Sequence, residues 1–573
     1  MLKVVMQLNR LLETKQKIYF VISFILVFIG SFMEMIGISL IIPFVSAIVA
    51  PKELLSMDYV QFLTKIFNFI TEENIVTCLA IALIIIYIIK NIYLGIVYYF
   101  QYKLIYSYYS NLSCRILKKY LYKPYEEQLN DKTGEMIRKI NTDTSYVANV
   151  LVQLMTFMSN IILTILLVFV AFFLNWQMTL LAAIVLSLLL MTSRNIISTR
   201  MKRIGKKLQQ CTAEMLKWIT QSVSGNKEIK IAQKEEFFLK EFEKNSIEGY
   251  KVLTKNGIYS RIPSLANETV CIGGILLVLL IYQLMGMDLQ SIVPTLAAFA
   301  MVIVKLLPTM NSCNSAYNAV MYYSPSLDVV MRECENIGKW DIIKEKKEEK
   351  IEFGQLCLEN ITYSYPNTEE VILQNANMKI SAGEMVGIVG KSGAGKTTLV
   401  DLILGLLKPQ QGIITLNKES IINHYFAWLN MVQYIPQSIF MLDDSIRANV
   451  AFGVARDKID DTKVYQALKE AMLYEFVKGL ADGLETNIGE RGTRLSGGQR
   501  QRIGIARALY CNPQVLVFDE ATSALDNETE AAIMESINYL HGKKTMIIIA
   551  HRLETIKNCD KVYRVEDKKI NLE

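Results

Sequence analysis

Several apolar runs long enough to cross a bilayer lie before residue 310, and none of comparable length follows. That asymmetry constrains the fold more than any single motif, because about 20 apolar residues in a helix match the hydrocarbon thickness. It predicts a membrane half followed by a soluble half. At 573 residues, 52% of them hydrophobic, the chain is also too long for one core. The runs fall near residues 18–50, 74–100, 150–174, 178–197, 270–285 and 291–307, which predicts six spanning helices. The first is broken only by Glu34 and Pro43 and exceeds one bilayer thickness, so a single helix there would tilt or protrude. It is too long for a signal-peptide core and lacks a small-residue cleavage site, which predicts a retained span.

Six spans put both ends on one side, and charge selects the side. The loop 51–73 carries Lys52 and Lys65 against Glu53, Asp58, Glu72 and Glu73. The segments between spans two and three and between four and five are long, helical in pattern and rich in Lys and Arg. The positive-inside tendency therefore predicts cytoplasmic termini, with the spanning helices running well past the bilayer. Within the outer loop, residues 57–70 put Val60, Leu63, Phe67 and Ile70 on one helical face. Such a helix suits either the headgroup region or packing against the spans. The charged stretch 344–350 (KEKKEEK) reads as a solvated linker. The expected division is 1–335 for the membrane domain, 336–350 for the linker and 351–573 for the soluble domain.

The net charge of +6 is mild and suits anionic lipid headgroups; with no aromatic–basic pattern, no nucleic-acid partner is expected. Nine cysteines include no C-x-x-C pair, and Cys114, Cys211, Cys357, Cys511 and Cys559 fall in segments expected in the cytoplasm, so reduced thiols are expected. His424, His541 and His551 show no metal-ligand spacing, and no zinc site is expected.

In the soluble half, residues 390–398 read GKSGAGKTT and match G-x-x-x-x-G-K-[ST] through Gly390, Gly395, Lys396 and Thr397. An apolar β-prone run, Met385–Val389, precedes them, and a helical pattern over 398–404 follows. Glycines there let backbone N–H groups turn onto phosphate oxygens, and the helix N-terminus adds its positive end. The loop, Gly390, Lys391, Ser392, Gly393 and Gly395 with Thr398, is expected to cradle ATP. Lys396 would reach the β- and γ-phosphates, and Thr397 would hold Mg²⁺. Residues 515–518 form a second buried strand ending in Asp519 and Glu520. Asp519 is expected in the Mg²⁺ shell, and Glu520 as the carboxylate that polarises the attacking water.

With Leu495-Ser-Gly-Gly-Gln499 about twenty residues before that strand, the soluble half resembles ATP-binding cassette (ABC) transporters from Ile351 to the C-terminus. The resemblance implies an α-helical exporter-type transmembrane domain of six spans followed by an α/β P-loop nucleotide-binding domain. It places Tyr365 as the adenine-stacking aromatic and Gln437 as the glutamine that serves both metal and catalysis. It places Asn487 to Gly492 as the loop that meets the membrane domain. Ser523-Ala-Leu-Asp526 would be the segment that brings Asp526 to the nucleotide, and His551 the switch histidine. Ser496, Gly497, Gly498 and Gln499 would bind nucleotide, Ser496 and Gly498 meeting the γ-phosphate held by another copy, so one cassette and six spans imply a pair. Glu520 and His551 are intact, which implies two competent sites in a homodimer; a heterodimer stays open. Residues 124–143 and 221–236 resemble exporter coupling segments, with ordinary amphipathic helix as the alternative.

In the membrane half, residues 34–43 (EMIGISLIIP), 305–308 (KLLP) and 311–325 resemble bacterial PglK-type flippases for lipid-linked oligosaccharides. That implies transfer of a polyprenyl-pyrophosphate-linked glycan from the cytoplasmic to the outer leaflet of a bacterial inner membrane. A lysine in a span costs roughly 2.5–3.5 kcal/mol on insertion scales and needs a partner or a wet cavity. Lys90 and Lys305 fit that description, and Arg261 lies near the inner end of span five; the three suit a pyrophosphate. The alternative is internal pairing with Glu34 and Glu268. Lysine where such flippases favour arginine forgoes the bidentate fork. Export of drugs, simple lipids or peptides on the same frame is the competing function, and an ATP-gated regulator or channel a third. No peptidase domain precedes span one, so a maturation protease-exporter is not expected.

Overall fold

The computed structural model describes residues 1–49, 74–129, 131–174, 176–284, 293–335, 351–366, 368–520, 527–550 and 556–573. The outer segment 57–70, the 336–350 linker region, residues 523–526 and His551 therefore lie outside the described residues. The chain forms two compact units, Met1–Lys123 with Asn130–Trp340, and Pro124–Leu129 with Asp341–Glu573.

The first unit is helical: α1 (Leu2–Leu11), α2 (Thr14–Ser39), α3 (Ile41–Val49), α4 (Ile75–Tyr122), α6 (Thr133–Ile137), α7 (Thr144–Leu174), α8 (Trp176–Ser224), α9 (Asn226–Ala232), α10 (Glu235–Leu284) and α11 (Val293–Glu335). The short α5 (Tyr125–Gln128) belongs to the second unit. Among the described residues, three helical stretches are long and apolar enough to cross a membrane: Thr14–Gly37, Ile75–Tyr122 and Thr133–Phe173. The other three expected spans fall on α8, α10 and α11, whose apolar ends are only partly described. The first apolar run is two helices, not one. Pro43 has no N–H to return to the Ser39 carbonyl, so the ladder breaks at Leu40 and restarts with proline in the first turn of α3. Helices α4, α8 and α10 hold 48, 49 and 50 residues. At 1.5 Å per residue each runs about 70 Å, more than twice a hydrocarbon core, as the long basic loops predicted.

Two packing devices hold these extensions together. Where α8 crosses α11, a Cβ added at Gly205 would lie 1.9 Å from the Tyr322 carbonyl oxygen, so only glycine admits the crossing. Beside it, Asp143 is fully buried in a π-helical turn, Arg138–Asp143. Its carboxylate accepts from Arg138 Nη1 at 2.7 Å, Gln209 Nε2 at 2.8 Å and Ser326 Oγ at 2.7 Å. Three elements thus meet on one charge, which satisfies the buried carboxylate and would leave it costly if any donor were lost.

The second unit carries two sheets. One has strand order β2-β1-β4-β5, built from β1 (Gln355–Ser364), β2 (Val371–Ser381), β4 (Gln411–Leu416) and β5 (Glu419–Ser420). The other runs β10-β9-β3-β8-β7-β6, from β3 (Met385–Val389), β6 (Val432–Ile435), β7 (Val515–Asp519), β8 (Thr545–Ile549), β9 (Lys561–Glu566) and β10 (Lys569–Leu572). Strands β3, β7 and β8 are buried at every position, which is why their sequences are continuous apolar runs. β3 pairs in parallel with β8 and β9, and β7 with β6 and β8, so the carboxyl ends of β3, β6 and β7 open on one edge. Helices α12 (Lys396–Ile403), α13 (Tyr425–Met431), α14 (Ile446–Val450), α15 (Asp461–Glu470), α16 (Tyr474–Lys478), α17 (Gly497–Tyr510) and α18 (Asn527–Leu540) complete the unit.

Candidate functional site

The site grows from the end of β3. Gly390 leaves the strand where a Cβ would sit 2.5 Å from the Val565 carbonyl oxygen. Gly393 and Gly395 take φ of 79° and 99°, and a Cβ at Gly395 would meet Ile372 Cγ2 at 2.8 Å. Glycine at 390 and 395 is therefore a steric requirement, and the loop it permits delivers the chain into α12 with Gly395 as N-cap. Lys396 is buried, and its Nζ donates to the carbonyls of Gly390 at 2.8 Å and Lys391 at 3.0 Å. Burial pulls the Lys396 ammonium below its ordinary pKa, while Glu520 and Asp519 push the other way. Thr397 and the loop residues Lys391, Ser392 and Gly393 are exposed. A glycine cradle that a Cβ would fill, a buried ammonium facing two carboxylates and an exposed hydroxyl at the helix start fit a triphosphate with a divalent cation.

The carboxylates come from β7. Asp519 is 7% exposed and accepts a hydrogen bond from Tyr434 Oη on β6 at 2.8 Å. Glu520 follows with φ 49°, a left-handed conformation uncommon for a residue with a Cβ, and its N–H bonds the Ile549 carbonyl at 3.1 Å. Gln437 Nε2 donates to Glu520 Oε2 at 2.7 Å, which brings together two residues that are 83 positions apart. Asp401 on α12 is buried beside this cluster, and burial first, Asp519 second, pushes its carboxyl up to about 6.

Tyr365 is half-buried, edge-on to Tyr363 at 5.4 Å, and its hydroxyl lies 3.0 Å from Thr398 Oγ1. The aromatic expected to stack on adenine is thus tethered to α12. Beside it, Tyr363 Oη donates to Glu126 Oε1 of α5 at 3.0 Å. The first expected coupling segment therefore places α5 in the cassette unit.

Ser496 N-caps α17 through a capping box. Its Oγ accepts from Gln499 N at 3.2 Å, and Gln499 Oε1 accepts from Ser496 N at 2.8 Å. Ser496 and Gly497 are exposed while Gly498 is buried, and the Gln499 side chain is turned back onto its own helix start. Arg500 Nη1 donates to Gly492 and Leu495 carbonyls at 3.2 and 2.8 Å, which joins the 487–492 loop to this helix.

Sequence reasoning missed three residues here. Tyr434 carried no motif. Arg507, one face further along α17, bonds Asn449 O at 2.9 Å and Phe440 O at 2.8 Å and stacks over Phe452 at 4.6 Å. Burial pulls its guanidinium down to about 10. Asp401 had no pattern either; its place inside an apolar helix face was the only available signal.

In the first unit, Lys305 Nζ pairs with Glu34 Oε1 at 2.9 Å. Lys90 is buried, lies over the Tyr87 ring at 4.6 Å and is within electrostatic reach of Glu34 and Lys305. The two lysines and Glu34 thus form one group, in which the pairing with Glu34 is realised. Arg261 and Glu268 are exposed on α10.

Comparison with known proteins follows the same division. The family model described as ABC transporter matches residues 373–523, and that described as ABC transporter transmembrane region matches 17–307. The ATP-dependent lipid A-core flippase of Methylobacillus flagellatus is 30% identical over 446 residues, covering 76% of this chain and 74% of that protein. Its counterpart in Salmonella typhimurium is 31% identical over 408 residues, covering 69% and 68%. Both carry a lipid A-core name, not that of a PglK-type oligosaccharide flippase. Among solved structures, a bacterial Atm1-family ABC exporter with ATP bound superposes with TM-score 0.77 at 22% identity, over 97% of this chain and 94% of that one, and so shares the fold.

Proposed function

The chain belongs to the ABC transporter family as an exporter-type half-transporter, an integral membrane ATPase, and on that premise we propose that it flips a lipid-linked saccharide. The cargo we infer is a polyprenyl-pyrophosphate oligosaccharide, moved from the cytoplasmic to the outer leaflet of a bacterial inner membrane, with both termini cytoplasmic. The observation that carries this reading is the group of Lys90, Lys305 and Glu34, two ammoniums against one carboxylate within apolar helices. A net positive charge inside spans is costly without an anionic partner. A lipid-linked phosphate would supply one, with Lys90 and Lys305 as its ligands and Arg261 as a contact at the entrance. The names of the relatives support a second cargo of the same chemistry, a lipid A-core. Drug or peptide export needs no such charge.

The working unit is a homodimer of chains divided at 1–335, 336–350 and 351–573. Lys391, Ser392 and Gly393 would turn their N–H groups onto phosphate oxygens, and Lys396 would leave the Gly390 and Lys391 carbonyls for the β- and γ-phosphates. Thr397, Asp519 and Gln437 would hold Mg²⁺, which supplies charge neutralisation along the phosphates. Tyr365 would border the adenine and Thr398 the α-phosphate. Glu520, held by Gln437, would accept the proton of the attacking water, and His551 would steady the γ-phosphate side. Ser496, Gly497, Gly498 and Gln499 of one copy would close the site of the other, with Asp526 lining the seam, so hydrolysis would release the pair. The capping box leaves the Ser496 hydroxyl proton available for that anion.

The test is ATPase stimulation in proteoliposomes by a polyprenyl-pyrophosphate saccharide, by lipid A-core, by ordinary phospholipid and by drugs. Stimulation by the first supports the proposed cargo and by the second alone transfers it to lipid A-core; stimulation by drugs alone overturns a saccharide flippase.

A further inference from the structure

Strand β6 runs parallel to β7 with Tyr434 opposite Val517. The phenol therefore reaches past the strand end to Asp519, two residues on, and its hydroxyl bonds Oδ2 at 2.8 Å. A phenol facing a carboxylate oxygen can only donate, so this bond fixes which way the carboxylate plane turns. Asp519 is nearly buried, and a buried carboxylate with one oxygen held in place presents a defined edge to a cation. Tyr434 is three residues before Gln437, on the strand that feeds the loop bearing it, so one short segment holds both β7 carboxylates: Tyr434 on Asp519 and Gln437 on Glu520. Asp401 on α12 and Tyr125 on α5 lie within electrostatic reach of the phenol.

We propose that Tyr434 is a positioning residue that orients the Asp519 carboxylate for the divalent cation, a role that rests on Asp519 being a metal ligand. Its hydroxyl determines how well the cation is held, not whether the nucleotide binds. Tyr125 of α5, in the segment expected to couple to the membrane helices, lies within electrostatic reach of the same phenol.

The experiment uses the full-length chain in nanodiscs with Mn²⁺ as probe and a non-hydrolysable ATP analogue carrying a β,γ-imido bridge. Bound Mn²⁺ is read by electron paramagnetic resonance, and analogue affinity is read separately in EDTA. Tyr434→Phe is expected to weaken Mn²⁺ binding about tenfold, in the range for residues that orient a metal ligand. Metal-free analogue affinity should stay within about twofold of the native chain. Asp519→Asn should abolish Mn²⁺ binding at the same site. If Asp519→Asn has no effect, the metal assignment falls, and the proposal with it. If Asp519→Asn abolishes binding while Tyr434→Phe changes nothing, the proposal alone falls. An equal loss of analogue affinity in EDTA makes Tyr434 structural and also overturns it. Should the Phe variant not fold, Tyr434→Met fills the ring volume without a donor; failure of both to fold counts against a positioning role.

Discussion

Gln437 donates from Nε2 to Glu520 Oε2 at 2.7 Å, across a backbone position where Glu520 holds φ at 49°. The glutamine thus holds one oxygen of the carboxylate proposed to accept the proton of the attacking water. Glu520→Gln should lower ATP turnover by on the order of 10²–10⁴-fold, the range for a positioned general base. Gln437→Ala should lower it by less, and the double variant should be no slower than Glu520→Gln alone, because residues acting as a unit are not additive. Steady-state phosphate release measures all three. Additive losses would separate the two residues.

The 2.9 Å pair of Lys305 and Glu34 gives the proposed substrate group its own internal control. Lys305→Gln removes one of two positive charges and should abolish glycolipid flipping. Glu34→Gln removes the competing carboxylate and should lower the substrate concentration giving half-maximal ATPase stimulation. If the double variant flips at the native rate, the pair serves only to fold the membrane half, since paired charges in lipid can simply satisfy each other.

Tyr363 and Glu126 join β1 to α5 through a 3.0 Å hydrogen bond to a charged acceptor. Such a bond contributes about 1.5–3 kcal/mol when both partners are well placed. Tyr363→Phe should therefore lower the number of lipids flipped per ATP hydrolysed, measured as the ratio of the two rates in one preparation. A fall in both rates by the same factor would place the tyrosine in the nucleotide site instead of in coupling.

What was legible in the sequence is what the local backbone dictates. Gly390 and Gly395 are required by close approaches of 2.5 and 2.8 Å, and the S-x-x-Q spacing of Ser496 and Gln499 is itself the capping box. Buried parallel strands announce themselves as apolar runs, so β3 and β7 were readable to within a residue. Contacts fixed by strand register or by helix crossings were not. Tyr434 meets Asp519 only because β6 and β7 align in one register, and Arg507 collects carbonyls from Phe440 and Asn449, some sixty residues away. Asp143 draws its donors from three elements of the first unit. The break at Leu40 was available from Pro43, whose missing N–H outweighs the continuous hydropathy that suggested one long helix.

Asp401 supplies a pH dependence with a definite sign. Burial, and then Asp519, raise its folded carboxyl from 3.8 to about 6, so the folded chain binds a proton that the unfolded chain has already released. Its contribution to stability is fully present below the ordinary value of 3.8 and is lost as pH rises through about 6. At pH 8 the native protein then carries a desolvated carboxylate on a helix whose other buried positions are mostly apolar. Asp401→Asn keeps the shape and removes the charge. It should therefore melt a few kelvin above the native chain at pH 8, with the gap closing as pH falls through 6 toward 4. Thermal unfolding of the full chain in detergent across that range measures the gap. A gap that does not change with pH would mean that the Asp401 carboxyl is solvated in the folded protein, and that the crowding of charge around Asp519 is carried by the β7 carboxylates alone.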